Sequence, residues 1–119
     1  MLDQDPIRFS SSKFNTTEIG EHFINDICFG EDVAHWLVRE VDKRGLNAIE
    51  PWQEDWGWQF EIEDCLISIG FDGNEWLIHC DPIVGFFQKL WGNRGDNSRV
   101  LGVIRKVLEN EPEINMNRG

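Results

Sequence analysis

From Gly45 to Gln88 the chain carries no lysine or arginine. Glu50, Glu54, Asp55, Glu61, Glu63, Asp64, Asp72, Glu75 and Asp81 all fall in that gap. Over the whole chain 22 acidic residues face 11 basic ones, a formal charge of -11. Such a charge repels nucleic acid and anionic membranes at long range, so neither is an expected partner. A neutral or basic protein is. A one-sign segment of this kind serves as a solvated face, or as a docking face for a basic protein.

Other absences narrow the field. Three cysteines, Cys28, Cys65 and Cys80, form an odd set without a CxxC pair. The opening MLDQDPIRF has neither a basic region nor an apolar one, and together these point to a reducing cytoplasm. The longest apolar runs, CLISIG and PIVGFF, are far too short to cross a membrane. No GxGxxG or GxxxxGK phosphate cradle occurs. Cys28, His35, His79 and Cys80 match no common metal spacing, and no nucleophile has a visible base and orienting group. No metal, cofactor or catalytic residue is therefore expected. His35 reads as a half-exposed helix residue, and the RGD within NRGDN is too short to argue for adhesion.

What is present is the pattern of a folded chain. The 119 residues, 40% hydrophobic and 12% aromatic, suit a single domain over 1–119. Residues 1–29 read as an irregular lead-in, with IRF at 7–9 as a short edge strand. Val33, Leu37 and Val41, flanked by Ala34 and Val38, mark a helix over 31–44, with acids at its start, bases at its end and Gly45 as its stop. Residues 98–110 repeat the period with Val100, Leu101, Ile104, Val107 and Leu108, and Asp96, Asn97 or Ser98 as N-cap.

Between the helices the period changes to two. Trp56, Trp58, Phe60 and Ile62, then Cys65, Ile67, Ile69 and Phe71, then Trp76, Ile78 and Cys80 predict a three-stranded meander over 56–81. A two-residue turn at Glu63-Asp64 sets Trp56 opposite Phe71, Trp58 opposite Ile69 and Phe60 opposite Ile67. The next turn closes on Asp72-Gly73 or on Gly73-Asn74. Only the first would put Cys65 opposite Cys80, within reach of a disulfide. Residues 81–97 suit a fourth strand or a short helix ending at Gly92, and Ile114 with Met116 suits a last short strand. The expected fold is α+β, an antiparallel meander of three to five strands with both helices on the Trp56/Trp58/Phe60 face.

Trp36, Trp52, Trp56, Trp58, Trp76 and Trp91 are many for so small a core, and aromatic anchors are typical of interfaces. Those in alternating strands are core. Trp52 and Trp91, with the carboxylates of Glu54, Asp55, Glu61, Glu63 and Asp64, are the candidate binding residues. The leading reading is a non-enzymatic protein-binding module. The alternative is a small enzyme or ligand-binding domain using Glu54, Asp55 and His79 in a Trp-lined pocket, although neighbouring residues entering a strand point apart.

FGEDVAHWL at 29–37, followed by PWQEDWGW at 51–58 and short alternating strands, resembles an uncharacterised family of small acidic bacterial proteins over residues 6–91. That resemblance implies a bacterial origin and a shared fold, with no mechanism. In size and charge the chain is also similar to immunity proteins of bacterial toxin systems, which implies a basic protein partner.

Overall fold

A computed structural model describes residues 5–25, 28–84, 90–92 and 95–116. In chain order these form β1 (Ile7–Ser11), α1 (Glu31–Lys43), β2 (Trp52–Glu54), β3 (Gly57–Ile62), β4 (Cys65–Phe71), β5 (Trp76–Pro82), α2 (Ser98–Glu109) and β6 (Ile114–Met116). The strands make one six-stranded sheet in the order β2-β3-β4-β5-β1-β6, antiparallel at every pairing. The fold is α+β.

Both helices follow their apolar period. α1 buries Val33, Ala34, Trp36, Leu37 and Val41, and α2 buries Val100, Leu101, Ile104, Val107 and Leu108. They share one continuous core with Trp58, Phe60, Ile67, Ile69, Ile78 and Phe9, the inward phase of the strands. α1 ends at Lys43, and the Leu46 amide returns to the Val41 carbonyl at 3.1 Å to close its last turn. At the start of α2, Asp96 accepts bonds from the Ser98 hydroxyl at 2.7 Å and the Ser98 amide at 2.9 Å, which hold its carboxyl at about 2. Asn97 is the N-cap residue, but its side chain serves the sheet instead.

The strand count exceeds the expected three to five because WQE, read as loop after Pro51, pairs with β3 through Trp52↔Gln59 and Glu54↔Gly57. β1 is interior rather than an edge: it pairs with β5 on one side and β6 on the other. The main correction concerns Trp56. It sits in the β2–β3 turn, 40% exposed, and does not face Phe71. The inward face begins at Trp58, and the meander runs from Gly57 to Pro82. Trp58↔Ile69 and Phe60↔Ile67 pair as the Glu63-Asp64 turn requires.

The β4–β5 register is that of the Gly73-Asn74 turn, with Phe71 opposite Trp76 and Cys65 opposite Pro82. Asp72 decides it. Its backbone amide donates to the Glu75 carbonyl at 3.1 Å, while its Oδ1 accepts the amides of Glu75 at 2.8 Å and Asn74 at 2.9 Å. Those amides hold the Asp72 carboxyl below its ordinary value of 3.8. A carboxylate so held contributes stability above its unfolded pKa, and that contribution is lost as pH falls through the lower folded value. Asp72→Asn is therefore expected to flatten the loss of stability below about pH 4, seen by urea melts across pH. Parallel pH profiles for the two proteins would remove the turn carboxylate from the account.

Cys65 and Cys80 are consequently diagonal and all three cysteines are free and buried. Burial pushes both thiols up, Cys80 the further, so they pack as small hydrophobes. Of the expected element at 81–97, Asp81 and Pro82 belong to β5, and residues 85–89, 93 and 94 lie outside the described residues.

Candidate partner-binding surface

Alternation that sends Trp58, Phe60 and Ile67 inward sends the intervening residues to the sheet's other face. Register then sets them in rows. Trp52, Gln59, Ser68 and His79 form one row across β2, β3, β4 and β5. Glu61, Leu66 and Asp81 form another, while Glu54 pairs with Gly57 and Gly70 with Leu77. Apart from Gly57, none of these residues is buried, so among the described residues no layer seals this face.

Two local contacts stiffen it. Trp52 and Glu54, two apart on one strand and so on the same side, are joined by a bond from the indole N–H to Glu54 Oε1 at 3.2 Å. Gln59 Nε2 donates to Ser68 Oγ at 2.9 Å. Beneath β2, the lead-in acts as a strap. The Gln53 side chain accepts the Ile24 amide at 2.7 Å and donates to the His22 carbonyl at 2.9 Å. Trp58 Nε1 reaches the Cys28 carbonyl at 2.9 Å, and the Cys28 thiol reaches the Glu54 carbonyl at 2.8 Å. The strap fixes the strand that presents Trp52.

The residues predicted for binding divide into separate groups. Trp52, Glu54 and Glu61 share the outer face. Asp55 lies in the β2–β3 turn, its carbonyl accepting from Asn25 Nδ2 at 2.6 Å. Glu63 and Asp64 occupy the turn at the other end of β3, roughly 20 Å away by strand rise. Glu63 stands 3.4 Å from Arg99, and the Asp64 carbonyl accepts the Ile83 amide at 2.7 Å. Trp91 is 84% exposed between β5 and α2, beside Leu90 at 68%. No contact among the described residues joins it to the others.

Glu54, Asp55 and His79 do not converge. His79 is exposed on β5, and with β3 and β4 between β2 and β5 the separation is on the order of 14 Å. No general acid and base meet there. The face adds three residues that are not among the binding candidates of the sequence: Leu66, Leu77 and Asp81. Their signal was two leucines in the polar phase of β4 and β5, where a purely solvated face has no use for them.

Among the described residues no three His, Cys, Asp or Glu side chains are placed to hold a metal ion, and no helix is long and apolar enough to cross a membrane. Comparison with protein families, with curated proteins and with solved structures finds no match.

Proposed function

We propose that the chain is a non-enzymatic binding module that takes a basic protein on its outer sheet face, in an immunity-like or adaptor role. The observation that carries this reading is the composition of that face. Trp52, Leu66 and Leu77 supply apolar area, and Glu61 and Asp81 flank them with no ion pair among the described residues. Apolar anchors with a charged surround are the common anatomy of a protein interface. The charge favours a cationic partner and speeds its approach.

The test is capture from extract by the wild-type chain and by lysine reversals, with affinity then measured on the recovered partner. Reversing Glu54, Glu61, Glu63 and Asp64 together is expected to abolish capture. The pair Glu54 and Glu61 accounts for most of the loss, because Glu63 is already engaged by Arg99. Binding should also weaken as salt rises. Undiminished capture by the fourfold reversal ends the proposal.

A further inference from the structure

The outer face changes character toward the β3–β4 turn. Residues 47–49 run beside β3 there: Ala48 bridges to Ile62 and packs against the core, while the Ile49 amide donates to the Glu61 carbonyl at 2.9 Å. Alternation therefore turns Ile49 outward, next to Glu61. Register carries the line on through Glu61↔Leu66 and Leu66↔Asp81, so Ile49, Glu61, Leu66 and Asp81 stand in one row across neighbouring segments of the sheet. The Ile83 amide donates to the Asp64 carbonyl at 2.7 Å, which continues the pairing past Pro82 and sets Ile83 beside Asp81 on the same side.

Two features separate this row from a solvated surface. Ile49 is 55% exposed and Ile83 50%, and Leu66 between them is not buried either. Single exposed aliphatic residues are ordinary, whereas a group of them in one place marks a contact surface. Between them, Glu61 and Asp81 form no ion pair among the described residues, in contrast to Glu63 at the turn, which Arg99 engages. Apolar and acidic side chains thus alternate, one to each strand.

The spacing selects the shape of what fits. Adjacent strands lie about 4.8 Å apart, so the row spans roughly 14 Å. A helix returns a residue to one side at i+4, i+7 and i+11, about 6, 10.5 and 16.5 Å along its axis. An extended strand presents a residue to one side only every 6.7 Å or so, and its fourth would overshoot the row by about 6 Å. Resting on the reading of the outer face as the site of a basic protein, we infer that this row takes an α-helix of that partner, laid across the strands. Aliphatic side chains at i and i+7 sit over Ile49 and Leu66, and arginine or lysine at i+4 and i+11 meets Glu61 and Asp81, the last with its stem against Ile83.

The probe is an alanine-based peptide with leucine at i and i+7 and arginine at i+4 and i+11, held helical by a lactam bridge outside that stripe. It is titrated into the full chain while backbone amides are followed by NMR. Saturable shifts centred on Glu61, Leu66 and Asp81 are expected, with affinity weakened about tenfold by Ile49→Ser with Leu66→Ser. A peptide of the same composition, its arginines moved to i+2 and i+9 on the far side of the helix, should bind about tenfold less tightly to the unaltered chain. The inference is overturned if the first peptide does not bind, if the two bind alike, or if the double substitution leaves the affinity unchanged. Partner capture that falls to the fourfold lysine reversal yet survives Ile49→Ser with Leu66→Ser ends this inference alone. Capture that survives the fourfold reversal ends both.

Discussion

Gly57→Ala is expected to lower stability by about 3 kcal/mol, the upper part of the range for overpacking. A Cβ at this position would stand 2.1 Å from the Ile69 carbonyl oxygen. That obstacle is backbone, not a side chain that can turn aside. Ile69 is held on one side by its pairing with Trp58 and on the other by its pairing with Ile78, so β4 has no room to withdraw. Relief requires parting β3 from β4 where Trp58 enters the core. Urea unfolding of the two proteins measures the cost, and a midpoint unchanged by the added methyl would mean that the backbones do not meet this closely.

Substitution of Asn97 should be as severe and should carry a pH signature. Asn97 is 1% exposed, and its Nδ2 donates to the Cys80 carbonyl at 2.7 Å. β1 begins at Ile7, opposite Ile78, so β5 runs past the last paired residue of β1, and there the Cys80 carbonyl takes its donor from the residue that caps α2. Asn97→Ala abandons a buried carbonyl, at about 1–3 kcal/mol. Asn97→Asp does that and buries a carboxylate, at about 3–5 kcal/mol near neutral pH. Burial raises the folded pKa of such a carboxyl above its unfolded value, so the added penalty is absent below about pH 4 and grows as pH rises. Denaturation from about pH 3.5, near the unfolded carboxyl pKa, up to about pH 7 should show the two variants converging in acid and separating toward neutrality. Equal behaviour at every pH would place residue 97 in contact with water.

Much of this architecture can be read from the chain because its periods are strong. Val33, Leu37 and Val41 announce α1, and the two-residue Glu63-Asp64 turn sets the Trp58↔Ile69 pairing without further help. Trp56 misleads because period two, run backward from Trp58, continues past Gly57 into what is a turn. β2 hides because three residues after a proline are too few to show alternation. The choice between the two β4–β5 registers turned on where the Asp72 carboxylate sends its bonds, and residue types alone do not reveal that. The outer face is half legible: its acids are plain in the sequence, while the grouping of Trp52 with His79 and of Glu61 with Asp81 arises only from register.

The place of β1 between β5 and β6 has a consequence for how the molecule comes into being. Ser11 Oγ bonds the Glu113 carbonyl across 102 positions of chain. β3, β4 and β5 are joined by tight turns and form a hairpin stack from local contacts, whereas β1 finds one neighbour only after β5 is made and the other only after residue 116. Long loops must close before those pairings return any free energy, so the last step of folding is slow relative to the meander. During synthesis the early strand emerges long before either neighbour, and Ile7 and Phe9 are without a strand partner until β5 has been made.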